Sequence, residues 1–262
     1  MTHIIALANE KGGVAKTTST ISLGGALVEK GREVLLVDLD AQANLTLGLS
    51  VVPATVRRSI ADVLINSASL ISASRETSIP GLDLIPSNQD MGTAERFLPI
   101  RQNYDLTLRN TLHNNANLAT YDFVLLDCPP SLGAVTLNAL TAADFVIIPT
   151  QPEYFSAHGL RSLMGTIRKV RSQGNPSLAY YVLITMMDRR NRIHRTLGEQ
   201  LRLTFKEGLL NTVIEVDTKL RESTVAGLPI THYASTSRSA LQYRALAEEI
   251  IQYAEKSPTQ TA

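Results

Sequence analysis

The chain has 262 residues, 44% hydrophobic and 19% charged, with a formal net charge of +1 and one cysteine, Cys128. This is the balance of a globular chain with room for a substantial core; it excludes an intramolecular disulfide and a strongly basic field over the whole molecule. No apolar run approaches about 18 residues, so neither a signal peptide nor a membrane span is expected, and the cytosol is the default location.

Strand-like apolar runs fall near 4–8, 33–38, 82–85, 123–127, 145–149, 180–185 and 212–214 and alternate with helical stretches. The best helices are 18–30, 158–172, 194–207 and 239–256. Repeated strand–helix alternation predicts an α/β fold: a mostly parallel twisted sheet covered by helices on both faces. Residues 1–256 read as a single domain, and 257–262 as a polar tail that frays. Residues 51–74 are the least regular and should carry short helices and loops.

The first strand runs into Lys11-Gly12-Gly13-Val14-Ala15-Lys16-Thr17-Thr18 and then a helix. Strand, Gly-rich loop and helix are the context of a phosphate-binding loop. Glycines let backbone N–H groups converge on phosphate oxygens, and the helix N-terminus adds its positive end. Lys16 would reach the β- and γ-phosphates, and the Thr17 hydroxyl would ligate Mg²⁺. The usual G-x-x-x-x-G-K-[ST] pattern has glycines where this chain has Glu10 and Ala15. Alanine tolerates φ > 0 poorly, so an altered loop geometry or hydrolysis rate is expected.

Val34-Leu35-Leu36-Val37 reads as a buried parallel strand ending at Asp38-Leu39-Asp40, and Phe123-Val124-Leu125-Leu126 ends at Asp127. Aspartates at the carboxyl ends of such strands lie where open α/β sheets bind ligands. Asp127 would hold the Mg²⁺ shell through a water. The alternative for Asp40 is a helix cap for the following segment. Cys128 follows a buried strand and reads as a packing thiol rather than a nucleophile. Basic residues gather at Arg189, Arg190, Arg192, His194 and Arg195, and again at Lys219 and Arg221. They form either solvated loops or a local face for phosphate.

With these motifs in chain order, the sequence resembles the ParA/MinD group of deviant Walker ATPases, and most of all the ParA partition ATPases, from about residue 4 to 250. The pattern K-G-G-V-G-K-T-T stands as Lys11 to Thr18, D-L-D-P-Q as Asp38 to Gln42, and D-C-P-P-S as Asp127 to Ser131. Gln151 to Phe155 and the Thr185-Met186-Met187-Asp188-Arg189 stretch are also similar to family segments. The resemblance implies ATP and Mg²⁺ as cofactors, with Lys11, Lys16 and Asp40 as catalytic residues. Lys11 would cross a dimer interface to the partner's nucleotide, and Asp40 would orient the attacking water. Thr17, Asp38 and Asp127 would serve the metal. Lys11 to Thr18 would bind nucleotide, with Met186, Asp188 and Glu215 near the base. Arg190, Arg192, Lys219 and Arg221 would contact DNA phosphates without reading sequence.

Glu215-Val216 and Ser223-Thr224 depart from the family's Pro-Arg and Ala-Pro, which leaves base recognition open. The implied partners are a second copy on ATP binding, non-specific double-stranded DNA and a ParB-like or adaptor protein that stimulates hydrolysis. The implied cargo is a plasmid, a chromosome or a protein body such as the carboxysome, and the implied location the nucleoid. The first strand starts almost at residue 1, so no helix-turn-helix extension is expected. A MinD-like membrane-cycling ATPase, a metabolic phosphate-loop ligase and an adaptor that binds ATP without hydrolysing it are the alternatives. The last helix carries Glu248, Glu249 and Glu255, which disfavours docking on anionic lipid. One cysteine cannot supply the two ligands per subunit of an iron-protein reductase. Retention of Lys11, Asp40 and Asp127 argues against the non-hydrolysing adaptor.

Overall fold

The strands are β1 (His3–Leu7), β2 (Val34–Asp38), β3 (Arg75–Glu76), β4 (Leu82–Ile85), β5 (Phe123–Asp127), β6 (Phe145–Thr150), β7 (Ala179–Met187) and β8 (Leu209–Glu215). In the computed structural model, which describes residues 2–153 and 156–256, they form one eight-stranded sheet in the order β3-β4-β2-β5-β1-β6-β7-β8. Only β3 runs antiparallel to its neighbour.

The helices are α1 (Lys16–Glu29), α2 (Asn44–Leu47), α3 (Ile60–Asn66), α4 (Leu70–Ala73), α5 (Met91–Phe97), α6 (Thr107–His113), α7 (Ala134–Ala142), α8 (Ser156–Gln173), α9 (Arg192–Phe205), α10 (Thr218–Val225), α11 (Ile230–Tyr233) and α12 (Arg238–Lys256). Alternate strand residues point to opposite faces. Ile4, Ala6, Leu35, Val37, Val124 and Leu126 pack toward Leu140 of α7 and Leu163 and Ile167 of α8. Ile5, Leu7, Leu36 and Leu125 pack toward Leu23 and Leu27 of α1 and Tyr243, Leu246 and Ile250 of α12. Both faces are covered, which is why these strands read as unbroken apolar runs rather than alternating ones.

Every expected strand is present. The short antiparallel β3 is additional; its two residues are exposed, so no apolar signal marks it. The four expected helices are present with ends shifted by a few residues. The shorter α5, α6, α7 and α10 were not foreseen, because seven to nine residues give too few turns for a clear period. Residues 51–74 hold a 3₁₀ turn at Pro53–Thr55 besides α3 and α4, as the irregular sequence implies. The expected frayed tail at 257–262 lies outside the described residues.

The strand order positions the site. β5 lies between β2 and β1, with Asp127 in register with both Leu7 and Asp38. The loops leaving β1, β2 and β5 therefore open side by side at the carboxyl edge of the sheet.

Candidate nucleotide site

The loop after β1 bends through Gly13 at φ 74° and Ala15 at φ 64°, and α1 begins at Lys16. Ala15 thus holds the left-handed conformation that glycine adopts freely, and its carbonyl accepts the N–H of Ser19 (2.9 Å), in the first turn of α1. Val14 is buried, and its carbonyl accepts the Thr185 hydroxyl (3.0 Å), tying the loop to β7. No described side chain caps α1 at its N-terminus. Its first amides are left for an anion.

Lys16 is buried, and its ammonium donates to the Lys11 carbonyl (3.3 Å). Burial pushes its pKa down, opposed by the carboxylate of Asp127. Lys11 turns the other way: its ammonium pairs with Glu153, while its N–H donates to Asn9 Oδ1 (3.0 Å). Asn9 is anchored in turn by its amide on the Pro149 carbonyl (2.8 Å). The two lysines of one loop therefore serve different directions.

Asp127 accepts the Thr17 hydroxyl (2.7 Å) and the Thr20 hydroxyl (3.2 Å). Its pKa is pushed up to about 8, first by burial and then by Asp38, with the Thr17 bond opposing. Asp38 accepts the Thr46 hydroxyl (2.6 Å) and N–H (2.9 Å) on one oxygen and the Asp40 N–H (3.2 Å) on the other. Burial raises it to about 6. It braces the loop after β2. Asp40 accepts the Gln42 N–H (2.9 Å) and lines a cleft of about 500 Å³ with Gly12, Gly13, Lys16, Thr17 and Pro130. The helix that follows is capped at Ala43, so Asp40 organises a turn rather than the helix itself. Burial pushes the Cys128 thiol up, as suits a packing group.

The donor set suits a nucleoside triphosphate with a hard cation. It offers loop amides, one ammonium, one hydroxyl and carboxylates placed to hold metal-bound water. Among the described residues no three His, Cys, Asp or Glu side chains form an all-protein cage. Mg²⁺ is usually held through few protein ligands plus phosphates and water.

A second cleft of about 410 Å³ shares Gly13, Ala15, Thr18 and Thr224 with the first. Its walls include Met186, Glu215, Val216, Leu220, Arg221 and Val225. Flat apolar walls beside the phosphate loop suit a base. The sequence points here to Met186 and Glu215, and to Thr224 through the departure from the family pattern at Ser223-Thr224, but nothing in it marks Leu220 or Val225. Asp188 does not line this cleft: it pairs with Arg190 (3.1 Å) and faces a separate hollow with Arg189, Glu215 and Arg238. Glu215 lines both and is paired with Arg189 and Arg238.

Of the basic residues, Arg190 is 93% exposed at its side chain, Arg192 opens α9, and Lys219 pairs with Glu222 on α10 (2.7 Å). Arg221 borders the base-side cleft. Their loops follow β7 and β8, adjacent parallel strands, so both groups leave the sheet at its carboxyl edge.

A family model described as an AAA domain matches residues 2–180. The sporulation initiation inhibitor protein Soj of Bacillus subtilis is 39% identical, with 95% of this chain and 98% of Soj covered. The chromosome partitioning protein ParA of Caulobacter vibrioides is 39% identical over 95% of this chain and 94% of its own length. Among solved structures, cobyrinic acid a,c-diamide synthase from Mycobacterium smegmatis with bound ATP analog and magnesium matches with a TM-score of 0.83. It is 34% identical, over 98% of both chains.

Proposed function

Because the chain belongs to the ParA/MinD family of deviant Walker ATPases and hydrolyses ATP with Mg²⁺, we propose that it works as an ATP-dependent dimer that binds DNA without sequence preference and positions a cargo. A ParB-like or adaptor protein accelerates its hydrolysis. One observation carries this reading. Lys16 is directed along its own phosphate loop, whereas the Lys11 ammonium points out to Glu153 with its side chain 31% exposed. A second loop lysine facing outward is available to a nucleotide held by another copy, much as an arginine finger is supplied in trans.

ATP bound with Mg²⁺ supplies the transferable phosphoryl group and a metal that neutralises its charge. The chain's residues position and balance it. The amides from Gly12 to Thr18 and the Lys16 ammonium hold the phosphates, and the Thr17 hydroxyl serves the metal. Asp127, and Asp38 beside it, order the surrounding shell. Asp40, at the cleft rim, orients the attacking water. Met186 and Glu215 border the base, while Asp188 acts on the Arg190 side.

Sedimentation with a slowly hydrolysed ATP analogue tests the dimer. The parent chain is expected to double in mass, and Lys11→Ala to stay monomeric while still binding nucleotide. A parent chain that remains monomeric sinks the reading.

DNA binding would come from Arg190, Arg192, Lys219 and Arg221, two patches per chain joined across a dimer. Fluorescence anisotropy with duplex DNA should show affinity only with ATP, falling with salt at a log–log slope of about −0.9 per phosphate engaged. Arg190→Ala and Lys219→Ala should each flatten that slope; equal binding with and without ATP counts against the proposal. The corresponding location is the cytoplasm, on the nucleoid.

The membrane alternative is less well supported. The apolar face of α12, with Tyr243, Leu246, Ala247, Ile250 and Ala254, is buried against the core. Its acidic residues are engaged as well: Glu248 pairs with Lys30, Glu255 with Arg32, and Glu249 accepts the N–H groups of Asn211 and Thr212. No helix among the described residues is long and apolar enough to cross a membrane. A second reading, an ATP-dependent amide-forming ligase, is favoured by the likeness to cobyrinic acid a,c-diamide synthase from M. smegmatis. The two part on stimulation: turnover that rises with DNA and a partition-type adaptor supports positioning, and turnover that rises with a polycarboxylic acid and an amide donor supports the ligase.

A further inference from the structure

The loop that carries Asp40 and the loop that follows Asp127, the last residue of β5, are joined by the sheet and, a second time, by residues 87–95. The Ser87 hydroxyl donates to the Asp40 carbonyl (2.7 Å). The Ser87 N–H donates to Thr46 Oγ1 (2.9 Å), the same hydroxyl that holds Asp38. At the other end of the segment, Glu95 in α5 accepts the N–H of Ala134 (2.8 Å) and of Val135 (3.0 Å). These are the first amides of α7, the helix that follows Asp127 and its Pro129-Pro130 loop. α7 has no cap of its own, since Gly133 stands at that position. A Cβ built on Gly133 would lie 1.7 Å from Glu95 Oε1. The carboxylate fills the space that any other residue's side chain would occupy. A carboxylate is also the charge that a helix N-terminus favours.

We propose that Ser87 and Glu95 are positioning residues for hydrolysis: together they hold the loop of the water-orienting Asp40 and the loop between the metal-serving Asp127 and α7 at one separation. This rests on the roles given above to Asp40 and Asp127. No hydrogen bond of Ser87 or Glu95 reaches residues 12–18, so the strut governs the geometry of the chemical step rather than nucleotide capture. A displacement of about 1 Å among reacting groups can cost on the order of a hundredfold in rate.

The test uses the full chain with Mg²⁺ and ATP in single-turnover assays, alongside binding of a fluorescent ATP analogue and thermal unfolding. Glu95→Ala should lower the hydrolysis rate by about tenfold to a hundredfold while nucleotide affinity stays within about twofold. Glu95→Gln, which keeps one acceptor oxygen, should recover part of the rate. Gly133→Ala should reproduce the loss with Glu95 itself unmutated, because its backbone (φ −83°, ψ −161°) suits alanine and its Cβ displaces the Glu95 carboxylate. Combining Gly133→Ala with Glu95→Ala should then add little, as expected of two changes that remove one contact. A mere helix cap would lower the melting temperature and leave the rate per folded molecule unchanged; that result, or additive losses in the double variant, overturns the proposal. Asp40→Ala separates the two levels of the argument. Parent-rate hydrolysis by Asp40→Ala means that the underlying reading of Asp40 has failed. An inactive Asp40→Ala beside an unimpaired Glu95→Ala means that the strut alone has failed.

Discussion

A left-handed alanine costs about 1–2 kcal/mol relative to a relaxed backbone, and Ala15 is held there at φ 64°. Surrounding bonds impose it: the Ser19 N–H on the Ala15 carbonyl and the Thr185 hydroxyl on the Val14 carbonyl. Ala15→Gly should therefore raise stability by about 0.5–1 kcal/mol in urea unfolding, since glycine's extra freedom in the unfolded chain offsets part of the relief. An equal loss in that variant would mean that the loop carries no strain. Asp127 gives a prediction in pH. Its carboxyl moves from an ordinary 3.8 to about 8 in the fold, so the folded state favours the protonated form. That contribution is complete below 3.8 and is lost as pH rises through about 8. The nucleotide-free, chelator-treated chain should lose melting temperature across this window, and Asp127→Asn should flatten the profile; parallel profiles would count against it. The phosphate-loop residues and both aspartate strands were legible because each motif is local: an apolar run followed at once by its polar residue. Glu95 was not, because its partners are backbone amides 39 and 40 residues away and backbone amides carry no sequence signature.

At the scale of elements, the helix that bears the phosphate loop is fixed from behind by α12. Ser19 of α1 and Tyr243 of α12 share a hydrogen bond of 3.0 Å, and both side chains are fully buried. Tyr243→Phe leaves the Ser19 hydroxyl without this partner and should destabilise the chain by about 1–2 kcal/mol. Chemical denaturation checks it, and a change under a few tenths of a kcal/mol would mean that the bond contributes nothing. The long helices and the buried strands could be read from the sequence because their periods extend over several turns or form unbroken apolar runs. The wall of the base-side cleft could not. Leu220 and Val225 lie on an eight-residue helix whose residues are mostly exposed, and a tertiary fit rather than a period places them beside Gly13. The placement of Asp188 was hidden for a related reason. The turn after β7 sends its carboxylate toward Arg190, which is two residues away.

At the scale of the whole molecule, a formal charge of +1 masks extensive internal pairing. Arg189 and Arg238 share Glu215, Lys219 holds Glu222, and Arg244 holds Glu29. The pair between Lys11 and Glu153 has the largest consequence. In the resting chain the outward lysine already has a counter-ion, so the proposed association would be an exchange of partners rather than the meeting of two free charges. Exposed pairs of this kind are worth about 0–1 kcal/mol, which would limit the effect on the midpoint of the proposed ATP-dependent dimerisation to roughly fivefold per chain. Glu153→Gln should shift that midpoint toward lower protein concentration and shorten any lag before assembly in stopped-flow light scattering. A shift the other way would mean that Glu153 helps to hold the dimer together. In the proposed dimer an exchange step would also make assembly respond weakly to salt, because the same ions that screen the incoming nucleotide's charge would loosen the lysine's resting contact.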